Sequence, residues 1–216
     1  MTPHAAARLV RASIEGPAGP LEALLRLPPE VLGAAVVAHP HPLHGGTMQT
    51  KLVHRAARLL SDRFGLAALR FNFRGVGRSA GSYDSGAGET QDLVAAARWL
   101  RLSYPDGPFV LGGFSFGSVC ALHAASVIAP EVLFLISLPT RRYRSVPEAP
   151  ASARVFWIQG GLDEYSRPTR ARALAEARMW NFVEVPEADH LFTGRLDAFE
   201  EAAGEGLGRA LEGRQV

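Results

Sequence analysis

Phe109-Val110-Leu111-Gly112-Gly113-Phe114-Ser115-Phe116-Gly117-Ser118 decides how the rest of the chain is read. Three apolar residues run into paired glycines, a serine between two phenylalanines follows, and an Ala-rich segment comes after. Gly113–Gly117 fits G-x-S-x-G, the pattern of a serine held at a sharp turn between a strand and a helix. A turn that tight brings the two backbones together beside the serine, where a Cβ on either flank would clash. The serine is then held at strained dihedrals with its Oγ exposed, and the N-terminus of the next helix is aimed at the reacting group. A plain Gly/Ser turn has the same five letters, so the reading depends on partners elsewhere in the chain.

Outward from this stretch, strands and helices alternate. Gly33–Ala38 (GAAVVA) is a small-apolar run suited to a strand buried on both faces. It leads into His39-Pro40-His41-Pro42-Leu43-His44-Gly45-Gly46-Thr47. Leu52, Ala56, Leu60 and Phe64 predict a helix stopped by Gly65. Leu66–Phe73 is the next strand, followed by a Gly-rich loop, Arg74–Ser79, and a helix over Gly88–Tyr104. Beyond the serine, strands are expected at Val132–Leu138, Arg154–Gln159 and Asn181–Val185. A helix starts at Ser166 with Pro168, and Leu196, Phe199, Ala203, Leu207 and Leu211 mark a terminal one. Arg8–Glu15 and Leu21–Leu27 read as an N-terminal antiparallel hairpin. The alternation implies an α/β fold with a mostly parallel twisted sheet of about seven to eight strands and helices on both faces. No repeat or boundary divides residues 1–216, which are expected to form one domain.

Composition narrows the function. The chain has 216 residues, 47% of them hydrophobic, and a single cysteine, Cys120, which excludes an internal disulfide framework. Cys120 reads as a small buried apolar residue. The formal charge is only +2, and of the 23 basic residues only Lys51 is a lysine. Basic residues are dispersed rather than striped, so no nucleic-acid partner is expected. No secretory apolar segment opens the chain and no apolar run could span a bilayer, so the expectation is a cytoplasmic protein with no membrane partner.

Two residues supply what Ser115 needs. A nucleophilic serine on this kind of sheet takes an acid and then a histidine, each on a loop at the carboxyl end of a strand. Asp163 follows Arg154–Gln159, and His190 follows Asn181–Val185. His190 can accept the Ser115 proton, and Asp163 can orient its ring and stabilise the imidazolium. Glu164 and Asp189 are rival acids, but Asp189 neighbours His190 on an extended loop, where adjacent side chains diverge. The backbone N–H of Phe116 is the first expected oxyanion donor. The second should come from the loop after Gly33–Ala38. Pro40 and Pro42 have no N–H, so only His41, Leu43 and residues further on can donate, and His41 is the one expected. His39, His41 and His44 could suggest a metal, but the alternating prolines converge three imidazoles poorly and no carboxylate completes the set. No metal or cofactor is expected, and His39 and His44 are read as shaping the loop. Arg74–Ser79 fails both phosphate-loop spacings and reads as a turn. Gly86 and Glu89 start the next helix, and Asp84 or Glu89 can brace the site.

Together, HPHPLHGGTM (His39–Met48), LRFNFRGVGRSAG (Leu69–Gly81), YDSGAGE (Tyr83–Glu89), GGFSFGS (Gly112–Ser118), GLDEYS (Gly161–Ser166) and ADHLFTGRL (Ala188–Leu196) resemble the α/β-hydrolase superfamily. The resemblance is to its small, cap-less, dienelactone-hydrolase-like bacterial branch. It implies an α/β-hydrolase fold and a Ser115–Asp163–His190 triad, but not dienelactone as substrate, because true dienelactone hydrolases carry cysteine at the nucleophile. Only Pro139–Ala153 separates two strands where many relatives insert a cap, so no cap domain is expected. Arg141-Arg142-Tyr143-Arg144 in that connection could attract an anionic substrate. Tyr83, Phe116, Leu191 and Phe192 are the expected apolar lining. The expected activity is hydrolysis of small carboxylic esters through an acyl-enzyme. A thioesterase or acyltransferase on the same triad is one alternative, and a binding protein with a broken triad another. The expected assembly is a monomer or homodimer.

Overall fold

The computed structural model describes residues 6–143 and 145–213. Among these residues, eight strands form one sheet in the order β1-β2-β4-β3-β5-β6-β7-β8: β1 Arg8–Gly16, β2 Gly19–Leu27, β3 Gly33–Ala38, β4 Leu66–Phe71, β5 Phe109–Phe114, β6 Val132–Ile136, β7 Arg154–Gly160 and β8 Asn181–Val185. The hairpin β1–β2 is antiparallel and joins β4 antiparallel, whereas β4, β3, β5, β6, β7 and β8 all run parallel. Every residue of β3, β4, β5 and β6 is buried, which is why these strands read as apolar runs, interrupted only by Arg70 of β4, whose guanidinium donates to the Met48 carbonyl at 2.6 Å.

Among the described residues, five α-helices cover the sheet: α1 Lys51–Phe64, α2 Ala87–Ser103, α3 Phe116–Ile128, α4 Pro168–Ala177 and α5 Leu196–Leu211. Residues of α2, α3 and α4 pack into the core on one face, and residues of α1 and α5 into the core on the other. The sheet, its helices and the short β6–β7 connection form the α/β-hydrolase fold without a cap. Gly65 ends α1 with a left-handed φ of 65°, and Glu89 accepts hydrogen bonds from the N–H groups of Asp84 (2.8 Å) and Gly86 (2.7 Å) at the start of α2. Burial pushes the Cys120 thiol up to about 12, so it stays protonated in the α3 core.

Two strands, β4 and β6, end two residues earlier than the sequence reading, for one reason. Expected strand residues Asn72, Phe73, Ser137 and Leu138 lie past the last ladder pairs of β4 and β6. Their side chains or backbones serve the loops at the sheet's carboxyl edge instead. Likewise, Ser166 does not cap α4. Its hydroxyl meets that of Thr140 at 2.8 Å, and the helix starts one residue after Arg167.

This edge carries a crevice. The chain leaves β3 toward the α1 face and leaves β5 toward the α3 face, so the two adjacent strands send their connections in opposite directions. Ser115 stands there.

Candidate active site

Ser115 occupies the residue between β5 and α3 with φ 54° and ψ −115°, a conformation that is sparsely populated for a residue with a side chain. Its surroundings hold it there. The Ser115 N–H donates to the Ile136 carbonyl at 2.8 Å, and the Ser118 N–H (2.9 Å) and hydroxyl (2.5 Å) both donate to the Ser115 carbonyl. A Cβ on Gly113 would lie 2.2 Å from the Gly117 carbonyl carbon and oxygen. One on Gly117 would lie 2.6 Å from the carbonyl oxygens of Ala38 and His39. Strand, helix and the loop leaving β3 thus meet backbone to backbone around the serine.

His190 and Asp163 reach it from the ends of β8 and β7. His190 Nε2 is 2.9 Å from Ser115 Oγ, and His190 Nδ1 is 2.7 Å from Asp163 Oδ2. A carboxylate can only accept, so Nδ1 carries the proton and the Nε2 lone pair faces the serine hydroxyl. The two loops are laced together by Gly161 N–H to Val185 carbonyl and Leu162 N–H to Ala188 carbonyl, each 2.9 Å. Glu164 makes no carboxylate contact with His190. Asp189 accepts from the N–H groups of Leu191 (3.0 Å) and Thr193 (2.8 Å). Partial burial raises its pKa, but these bonds outweigh burial and hold its carboxyl below the usual range, so Asp189 shapes the loop that presents His190.

Several residues in this arrangement were not anticipated. The Gln159 side-chain amide donates to Asp163 Oδ2, and its oxygen accepts from Trp157 Nε1 at 2.8 Å. The Tyr165 N–H donates to Asp163 Oδ1 at 2.8 Å, so both carboxylate oxygens are engaged. Ser137, at φ 47°, donates its hydroxyl to the His190 carbonyl at 3.0 Å. The imidazole lies between Phe114 and Tyr165, with ring centroids at 5.2 and 4.6 Å. A glutamine directly after the apolar run Val155–Ile158 is the one available sign, because a buried polar side chain needs a partner.

The loop after β3 is locked from below. His39 is fully buried; its Nδ1 lies 2.6 Å from the Pro40 carbonyl and its Nε2 accepts from the Phe73 N–H at 3.1 Å. With both ring nitrogens committed, burial lowers its pKa to about 4 despite the Pro40 bond. Further along, His41 Nδ1 accepts from the Leu43 N–H at 3.2 Å and its Nε2 meets the Tyr83 hydroxyl at 3.1 Å. The His41 ring also packs on Phe116, with centroids 5.0 Å apart. Burial, then the nearby His44, pushes the His41 pKa down. Arg74 braces the next loop. Its Nε and Nη2 grip buried Asp92 at 3.0 and 2.8 Å, and its N–H donates to the same carboxylate at 3.0 Å.

The expected lining needs one correction. Tyr83 and Phe116 stand together beside His41, and Leu191 is 56% exposed next to His190. Phe192 is fully buried and packs on Phe199 of α5, with centroids 5.2 Å apart, so it belongs to the core under the loop and faces no substrate. Along a loop, neighbouring side chains take opposite sides, and only one of the pair can face the crevice. Arg144 of the basic stretch lies outside the described residues.

Known proteins share this fold. Residues 43–186 match the family described as alpha/beta hydrolase fold. The chain is 37% identical to XC6422 of Xanthomonas campestris, described as an α/β serine hydrolase without lid, with a TM-score of 0.87 over 97% of this chain and 98% of that one. It is 34% identical to an α/β serine hydrolase homologue from Coxiella burnetii, with a TM-score of 0.84 over 92% of this chain and 97% of that one. An uncharacterized protein of Rickettsia prowazekii is 34% identical over 187 residues, 80% of this chain and 77% of that one.

Proposed function

We propose, from the premise that this chain belongs to the α/β-hydrolase fold family, that it hydrolyses small carboxylic esters through an acyl-enzyme on Ser115. The observation that carries this reading is the continuous hydrogen-bonded chain from Ser115 Oγ through the His190 ring to Asp163, with the serine held at a strained turn.

The steps follow from the polarity of that chain. His190 Nε2 takes the hydroxyl proton as Ser115 Oγ attacks the ester carbonyl. The developing imidazolium is stabilised by Asp163, whose other contacts with Gln159 and Tyr165 keep it in position. The oxyanion is received by the backbone N–H of Phe116, at the first turn of α3, and by that of His41. His190 then gives its proton to the leaving alcohol. Water, activated by the same imidazole, attacks the acyl-enzyme and releases the acid. No part of this sequence calls on a metal or cofactor.

The direct test is labelling of the purified protein by a fluorophosphonate probe, followed by intact-mass measurement. Wild type gains one adduct and Ser115→Ala none. Ser115→Ala also loses on the order of 10³-fold or more in turnover of 4-nitrophenyl acetate. Wild-type turnover by that variant ends the reading.

A further inference from the structure

Most arginines near carboxylates on this surface are paired: Arg26 with Asp62, Arg55 and Arg58 with Glu200, Arg101 with Glu131, Arg172 with Glu184, Arg178 with Glu148. Among the described residues, Arg141, Arg167 and Arg170 form no ion pair, yet they converge. With Thr169 they line one open groove of about 490 Å³.

The groove is built onto the loop that carries Asp163. The Arg141 N–H donates to the Tyr165 carbonyl at 3.0 Å, and its guanidinium Nη1 donates to the Glu164 carbonyl at 3.0 Å, which fixes the side chain in place. Arg142 lies over the Tyr165 ring at 5.1 Å, and that ring in turn stands against His190. The lining residue Arg141 is thus bonded to the backbone of the residue whose ring stands against His190. Its far wall is the first turn of α4, which has Arg167 at the N-cap, no side-chain cap and no acidic residue. Thr169 and Arg170 belong to that turn, so their N–H groups have no acceptor within the helix.

Two guanidinium groups with no ion pair, a third that keeps free donors beside its bond to Glu164, a hydroxyl and the first N–H groups of α4 make this lining rich in donors and positive in charge. It suits an anion with several acceptor oxygens and more than one charge, since each fork can engage two of them. A lone carboxylate would leave most of this charge uncompensated.

We propose that this groove binds a phosphate group carried by the substrate, so that the ester or thioester bond of a phosphorylated acyl donor is set over Ser115. This deepens the hydrolase reading and rests on it for the chemistry. The binding itself stands on the groove alone.

The test uses inorganic pyrophosphate as the probe, titrated calorimetrically at low ionic strength into Ser115→Ala protein, where no turnover interferes. Expected is saturable binding that weakens with added salt. In the Arg167→Gln/Arg170→Gln background the affinity falls about tenfold or more, and Arg167→Lys/Arg170→Lys recovers part of it. On the catalytically intact chain, the double Gln change leaves turnover of neutral 4-nitrophenyl acetate within about twofold of wild type. No binding at millimolar pyrophosphate, or equal affinity in the double Gln variant, overturns the proposal. Failure of the hydrolase reading would look different: neutral-ester turnover would be absent or independent of Ser115 while pyrophosphate binding persisted.

Discussion

The side-chain amide of Gln159 donates to Oδ2 of Asp163, the same oxygen that faces His190 Nδ1, while Trp157 Nε1 holds the other end of that amide. The carboxylate is thereby kept from rotating away from the imidazole. Gln159→Leu is expected to lower kcat on 4-nitrophenyl acetate about tenfold with little change in KM, because the ground-state contacts to the ester are untouched. Gln159→Glu sets a second carboxylate against Asp163 and is expected to be worse. Steady-state kinetics with thermal melts of both variants make the measurement, and equal kcat in all three proteins would deny Gln159 this role.

Asp163 and Glu164 are adjacent in sequence but not in function on the proposed mechanism. Asp163→Asn presents a donor where the imidazole N–H needs an acceptor and favours the wrong tautomer, so kcat should fall by on the order of 10³–10⁴-fold. Glu164→Gln should stay within about twofold. Kinetics of the pair decide it, and the reverse ranking would move the acid role to Glu164.

Leu191 and Phe192 are expected to respond oppositely to truncation. Phe192→Ala empties a fully buried site against Phe199 and should cost about 3–5 kcal/mol in urea unfolding. Leu191→Ala, at an exposed position, should change stability by under about 0.5 kcal/mol, and its effect should appear in KM for esters. Denaturation midpoints and KM values measured on the two variants check both halves.

His39 should make the fold sensitive to mild acid. Its folded-state pKa is lowered to about 4 from an ordinary value of 6.5, so between these pH values the unfolded chain binds the extra proton. Its contribution is fully present above pH 6.5, is lost progressively as pH falls, and is gone below about pH 4. The loss amounts to about 3 kcal/mol at most. His39→Gln is expected to be less stable at neutral pH and to show a shallower decline between pH 7 and 5. Parallel pH slopes for the two proteins would contradict this.

Acyl-chain length should matter over a short range only. Leu43, Leu162 and Leu191 are 68, 66 and 56% exposed on three loops at the carboxyl edge, and the β6–β7 connection adds no cap above them. Each acyl methylene contributes roughly 0.8 kcal/mol only where a wall encloses it. On 4-nitrophenyl esters, kcat/KM is expected to peak at about two to four acyl carbons, with no jump at the micelle threshold. An optimum at dodecanoyl would require an enclosing surface.

What the sequence determined by itself was local or periodic. Unbroken apolar runs such as GAAVVA and FVL marked strands buried on both faces, four-residue spacing marked α1 and α5, and G-x-S-x-G marked the turn at Ser115. The order serine, acid, histidine at successive strand ends was enough to nominate Asp163 and His190. It could not show which way a loop residue faces, and so Phe192 was read as lining when it is core. Nor could it show contacts between segments far apart in the chain: His39 under Phe73, Ser137 on the His190 carbonyl, Tyr83 on His41. The groove of Arg141, Arg167 and Arg170 is of the same kind, since its two sides come from the β6–β7 connection and the start of α4. Periodicity reports how one segment meets a surface. Which segments share that surface is decided by strand order and by the direction each connection takes from the sheet, and those exist only once the sheet has closed around its core.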